Sequence, residues 1–534
     1  MDRYRDLMTA GASRPLDNEV PGRTAFAKIA FACRGTPLPA QCVMPVLPLV
    51  ADDVAGMLVP GRGPERRSPV GLGVLTGEIS PGMVDEVIDL AGCREKRRRL
   101  LPARTVVYFV LGLCLFSGAD SVGPPGYRSV MRWLTNGLRH LDGVVLPTSS
   151  ALTRARQRLG VRPLELLFGL RRGPLAAAGT QGAFAFGLRL VAWDGTGIDA
   201  ADTPANAAAF GGVRGGGPQL RLLALIECGT HALIDAVFDG VDRASEQKLA
   251  RRLLPALGPG MLLLADRNFP GWELWGLAAG TGADLAWRIK KNLVFTPLRV
   301  LPDGSFLSVM PTPAENLRLG QARAVGRVPP GPPEGHTVRI IEYTVTVRAA
   351  DGTTRTEPFR LATTLLDHQQ APAASLAALY HERWESENGY AELKTRLRGA
   401  AFILRSRSPE LTRQEMFAFL TVYQALCALE TDAARQAGID PDRISFTVTV
   451  RVARDHAASH AIITPHSLAL ARRQAIADLL SDILPRRRHR QYERVRKQPK
   501  NNFPAMKQGQ KRQPSQVTYK IKVGRKASSP AQTP

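Results

Sequence analysis

Two aspartates stand at the ends of apolar runs in the middle of the chain. Asp194 closes LRLVAWD and is followed by Gly195; Asp266 closes MLLLAD, with Asn268 just beyond it. A single aspartate in such a place fits a turn or a helix cap. Two on neighbouring strands fit something further, because their oxygens converge at one sheet edge and can hold a hard cation such as Mg²⁺. A third carboxylate from a later helix would complete a site for two such ions.

The stretch LYHERWESENGYAELKTRLRG, residues 379–399, offers four glutamates on one expected helix. Charged residues crowding a helix fit a solvated face, so geometry has to separate them. At about 100° per residue, with Tyr380 at the origin, Arg383, Glu387 and Lys394 fall at about −60°, −20° and −40°. These four form one stripe. Leu379, Tyr390, Leu393 and Leu397 lie beside it on the side expected to pack, whereas Glu382, Glu385 and Glu392 project to the opposite side and are expected to face water. Glu387 is thus the third ligand, between cations able to meet phosphate.

The elements that must position these groups begin near residue 183. FAFGLRLVAWDG, LRLLALIECG and THALIDAVFDG read as strands, SEQKLARRLLPAL as a helix, MLLLAD as a buried strand, GWELWGLAAG as a helix and ADLAWRIKKN as a strand. The order β-β-β-α-β-α-β predicts an α/β, ribonuclease-H-like core: a mixed sheet with flanking helices, in which an antiparallel meander continues into parallel strands. Strands one and four are then neighbours, which brings Asp194 and Asp266 together. Residues 183–293 form the first part of this core, 294–372 a β-rich insertion with a period-2 run from 336 to 366, and 373–400 the helix that returns to the core.

Helical spacing over 80–92, 103–118, 127–141 and 148–160 predicts an α-helical N-terminal domain at 80–182. Its last helix carries Arg154 and Arg158 on one face, an arrangement that suits both a DNA-facing helix and an ordinary surface helix. Residues 1–79 are rich in Gly, Pro and Ala and read as irregular, and 401–485 read as a helical C-terminal region.

The formal charge of +24 points to a polyanionic partner, most simply nucleic acid. Residues 486–534 contribute +14 of it, with fifteen Lys and Arg against the single Glu493. This basic tail lacks an apolar period and reads as disordered; it fits a solubilising appendage or a phosphate-contacting arm. The longest apolar run, TVVYFVLGLCLF, is too short to span a bilayer, and MDRYRDLMTAGASRPL lacks the apolar segment of a secretory signal, so a cytoplasmic location without membrane contact is expected. Six cysteines without a CxxC pair suggest neither a zinc site nor a disulfide framework.

With these residues in place, the chain resembles the DDE transposases of the bacterial insertion-sequence-four family. The helix YHERWESENGYAELK fits the signature Tyr-x2-Arg-x3-Glu-x6-Lys at Tyr380, Arg383, Glu387 and Lys394, supported by VAWDGTGIDAADTPANAAAFG, LLLADRNFPG and WRIKKN. The resemblance covers about residues 80–470. It implies cut-and-paste movement of an insertion element: two Mg²⁺ or Mn²⁺ ions on Asp194, Asp266 and Glu387, a 3′-OH freed at the element end, a hairpin in relatives, then strand transfer into target DNA. It further implies Tyr380, Arg383 and Lys394 on phosphates, an end-binding role for 80–182, and a homodimer that pairs two terminal inverted repeats. Trp384 fits either a platform for a flipped base or a packing residue. A stand-alone nuclease or resolvase would share the carboxylates, and a DNA-binding protein without catalysis would share the charge.

Overall fold

The computed structural model describes residues 70–485, apart from residue 98 and short segments at 119–123, 137–145, 213–215, 291–292, 328–330, 332, 349–353, 400–402 and 460–464, together with 518–524. At its centre is a sheet whose strands are β1 (Phe184–Ala185), β2 (Leu188–Asp199), β3 (Gln219–Glu227), β4 (Leu233–Gly240), β5 (Met261–Ala265), β6 (Asp284–Arg288), β7 (Arg299–Val300), β8 (Phe306–Pro311), β9 (Gly335–Arg348), β10 (Thr354–Thr363) and β11 (Thr518–Val523). The order across it is β4-β3-β2-β5-β6-β10-β9-β8-β7. β2, β3 and β4 form the antiparallel meander, and β5 and β6 join parallel to β2, giving the ribonuclease-H-like core.

Residues along β2 alternate between two cores. Val191 and Trp193 pack with Leu223, Leu263 and Trp287, while Leu190 and Ala192 pack with Leu262, Leu264 and Ala286. Both faces are covered, so the strands read as continuous apolar runs. One face carries α7 (Glu246–Leu253), capped by the Ser245 hydroxyl, and α8 (Trp272–Ala279).

The β-rich insertion does not form a sheet of its own. β10 pairs antiparallel with β6 at Leu361–Arg288, so β10, β9, β8 and β7 extend the core sheet, with α9 (Pro313–Ala324) between β8 and β9. The basic tail also departs from expectation, since its residues 518–523 form β11 against the outer half of β9. The TYKIKV run alternates Tyr, Ile and Val with Thr and Lys, which suits an edge strand.

On the outer face of β2–β4 lies a helical layer drawn from both ends of the described chain. It comprises α1 (Pro81–Leu90), α2 (Ala103–Leu115), α3 (Tyr127–Leu134), α4 (Ser149–Leu159), α5 (Arg162–Arg171), α12 (Pro409–Ala437), α13 (Phe446–Ser459) and α14 (Pro465–Leu480), with α6 (Pro204–Phe210) from the β2–β3 connection. In α2 every residue but Arg104 is buried, and in α12 every residue from 418 to 434 is buried. Helices apolar all round must lie inside, and α12 is wrapped by α2, α5, α13 and α14. The layer also takes in residues 70–79, expected to be irregular: a 3-10 turn at Gly73–Gly77 buries Val74 and Leu75. At Gly73, with φ +55°, a Cβ would stand 2.4 Å from the backbone of Ala457. Among the described residues no helix is long and apolar enough to cross a membrane.

Candidate active site

Parallel pairing of β2 with β5 matches Arg189 to Met261 and Ala192 to Leu264. The same offset carried two residues further sets Asp194 opposite Asp266, on strands about 4.8 Å apart. Asp194 does not end its strand, as expected from sequence; β2 continues to Asp199 along β3. It is the parallel partner that stops, at Ala265, and this opens the edge beside Asp194. Asp266 follows as the first residue of a turn, its carboxylate accepting from the amide of Arg267 at 2.6 Å.

The third carboxylate arrives on a segment with three helical pitches. α10 (Ala373–Leu379) leads into a 3-10 turn at Tyr380–Arg383, then α11 (Trp384–Ala391), then a π-helical turn at Glu392–Leu397. Tyr390 fixes this segment to the sheet: its hydroxyl accepts from the amide of Ala224 at 2.9 Å and donates to the carbonyl of Asp194. Arg383 stands between the acids, with one guanidinium nitrogen 3.6 Å from Asp194 and another 3.0 Å from Glu387. Its charge also interacts with Asp266. Lys394 donates to the hydroxyl of Thr196, two residues beyond Asp194, at 2.9 Å. Tyr380 is buried and its hydroxyl donates to the carbonyl of Ala265 at 3.2 Å, which turns it toward β5.

The donor set suits a hard divalent cation, since all three side chains offer carboxylate oxygen. Burial pushes the pKa of Asp194 up to about 6; Arg383 and the Gly195 amide oppose this, while the charges of Glu387 and Glu246 add to it.

Sequence reasoning placed Glu382, Glu385 and Glu392 toward water, and for two of them the structure corrects this. Glu385 accepts from Nε2 of His231 at 2.8 Å and Glu392 from Nδ1 at 3.0 Å, while Tyr423 of α12 reaches Glu392 at 3.3 Å. The segment is wedged between the sheet and α12, so both its sides pack. Burial works against a charged His231, but Glu392 and Glu385 outweigh it and hold its pKa well above the ordinary histidine value. His231, Glu385 and Asp442 bring three ligand atoms within 4.8 Å of one another, the one such trio among the described residues; Asp194, Asp266 and Glu387 are more widely spread.

Of the other candidates, Arg154 is exposed on α4, whereas Arg158 donates to the carbonyl of Leu101 at 2.8 Å and helps to seat α4. The structurally committed arginine of α4 is Arg156, fully buried and bonded to Gln414, Tyr127 and Ser406. The side chain of Trp384 lies outside the described residues.

Residues 69–169 match the family described as "Insertion element 4 transposase N-terminal", and residues 185–424 match "Transposase DDE domain". The chain is 28% identical over 386 residues to the transposase InsG for insertion sequence element IS4 of Escherichia coli strain K12, covering 69% of this chain and 79% of that one. It is 28% identical over 210 residues to the putative transposase InsZ of the same strain, 38% of this chain and 66% of that one. A cryo-EM structure of the piggyBac transposase synaptic complex with hairpin DNA aligns with 80% of this chain and 88% of its own, at 10% identity and a TM-score of 0.38.

Proposed function

The chain belongs to the insertion-sequence-four family of DDE transposases, and from that premise we propose that it moves an insertion element by cut-and-paste, with Asp194, Asp266 and Glu387 as its catalytic carboxylates. The observation that supports this best is Arg383, which bridges Asp194 and Glu387 and whose charge also meets Asp266 at the end of the neighbouring strand β5. The three acids would hold two divalent ions, Mg²⁺ or Mn²⁺, which when bound lower the pKa of an attacking hydroxyl and stabilise the leaving oxygen.

The chain's own residues account for the rest. Arg383 and Lys394 present cations on the side of the segment that faces the acids, where phosphates of the cleaved strand would sit. Tyr380 acts through Ala265, fixing the turn that carries Asp266. Arg154 lies on the exposed side of α4 and is the cation we assign to element-end contact in the helical layer, with Arg158 in a supporting place. Recognition of terminal inverted repeats, pairing of two ends by a homodimer, passage through a hairpin with Trp384 as base platform, and strand transfer into target DNA complete the proposal.

The test is cleavage of a duplex carrying the element's own terminal repeat, with and without Mg²⁺. Metal-dependent nicking at the repeat boundary that is lost in Asp194→Asn and Asp266→Asn is the expected result. Cleavage by chelator-treated protein would overturn the metal reading.

A further inference from the structure

The end of the catalytic segment meets the end of α2. The π-helical turn closes at Leu397, and the carbonyl of that residue lies just past the C-terminus of α2, where a Cβ on Gly118 would stand 3.0 Å from it. Two helix ends thus bring their unbonded carbonyls, and the negative poles of both helices, to one place. Arg454 of α13 answers both. Its Nε donates to the carbonyl of Leu115, the last residue of α2, at 2.7 Å, its Nη1 to Gly118 at 3.3 Å and its Nη2 to Leu397 at 3.1 Å. The hydroxyl of Ser117 donates within the same group, 3.2 Å from the Leu397 carbonyl and 3.3 Å from that of Arg398. Burial lowers the pKa of Arg454 to about 10, which leaves it a cation at neutral pH.

An arginine set against helix-end carbonyls fits a plain cap. This one joins two functional parts: α2 lies within residues 69–169, which match the transposase N-terminal family, and Leu397 ends the turn that carries Lys394. A π turn is rare and short, and its surroundings rather than propensity hold it. With Leu397 tied to α2, the turn keeps Lys394 at 2.9 Å from the Thr196 hydroxyl, two residues beyond Asp194. Untied, it is free to return to ordinary helical pitch, which rotates Lys394 off that edge. We propose that Arg454 is a positioning residue for strand cleavage, holding Lys394 at the sheet edge where a phosphate of the cleaved strand is gripped. The proposal rests on the reading of Lys394 as a phosphate contact.

The experiment measures, on the full chain with a terminal-repeat duplex, the slope of log affinity against log salt and the single-turnover cleavage rate in Mg²⁺. Arg454→Lys keeps the charge and the stem but replaces a fork that serves three carbonyls with one ammonium. Ser117→Ala loosens the same junction and leaves the buried cation alone. Arg454→Lys is expected to lower the salt slope by about one, as Lys394→Ala does, and to slow cleavage about tenfold or more; Ser117→Ala should act in the same direction and less. Added to Lys394→Ala, Arg454→Lys should lower neither quantity further. Slope and rate unchanged in both variants, with only the melting temperature lowered, would make Arg454 a structural cap and overturn the proposal. A further loss of slope in the double variant would overturn it too, because Arg454 would then act on DNA without Lys394. If Lys394→Ala itself leaves the slope unchanged, the phosphate reading of Lys394 fails and Arg454 falls with it.

Discussion

The segment 380–397 carries acids on two sides, and the two sides use them differently. Toward the sheet edge, Glu387 is 39% exposed and leans on Arg383, itself shared with Asp194. Toward α12, Glu385 and Glu392 are 13% and 5% exposed and close on His231. On the first side a single arginine is shared between two carboxylates. The other satisfies them fully, as a packed interior requires. The partners of each glutamate, and not helical position alone, separate the two sides.

The sharpest way to break this division is Glu387→Gln. Cleavage of terminal-repeat DNA is expected to fall by about a hundredfold to a thousandfold or more, with melting temperature and duplex binding close to the parent. If Glu385→Gln were instead the well-folded variant that fails to cut, the two sides would have to be exchanged.

On the structural side, His231→Ala takes the counter-charge from the half-buried Glu385 and leaves the buried Glu392 with Arg396 alone, and about 3 kcal/mol of stability should be lost in urea unfolding. The pH dependence has a definite sign. Because the folded-state pKa of His231 lies above its ordinary 6.5, its stabilisation is complete below that value and declines as pH rises through the folded pKa. His231→Ala should remove that decline, which parallel unfolding curves over a pH series would reveal.

Asp194 shifts stability with pH in the same direction, but here the ionised group opposes the fold. Its pKa, pushed up to about 6 from 3.8, makes the ionised form unfavourable in the fold, so it lowers stability as pH rises through that interval. In metal-free buffer above pH 6, Asp194→Asn should therefore be inactive yet more stable, by about 2 kcal/mol. Thermal melts of parent and variant, with and without Mn²⁺, check both halves of this statement. The smallest effect is expected from Lys394→Ala, which should reduce the slope of log affinity against log salt for end binding by about one. An unchanged slope would restrict Lys394 to its bond with Thr196.

The placement of the residues on the sheet-edge side was largely legible in the sequence because it depends on local period. Apolar runs ending in Asp194 and Asp266 gave two strands, their order gave adjacency, and helical spacing collected Arg383, Glu387 and Lys394. The structural side was not legible, since His231 is 154 residues from Glu385 and belongs to a turn of ordinary composition. A projection onto one helix assumes one packed face, whereas this segment packs against both the sheet and α12. In β11 the alternation of Tyr, Ile and Val was overshadowed by the cationic run around it.

The burial of α12 sets a timetable for biosynthesis. Cys114 of α2 donates to the carbonyl of Glu415, 301 residues later, and α2 lies wholly inside the layer that α12 completes. At about 5–20 residues per second, a ribosome needs about 15–60 s to bridge that interval. Throughout it, the face of α2 that packs on α12 lacks that partner, although α1, α3 and α4 are already made. The layer can therefore close only after the entire sheet core has been made, so its folding is bound to the completion of the chain rather than to the emergence of its first helices.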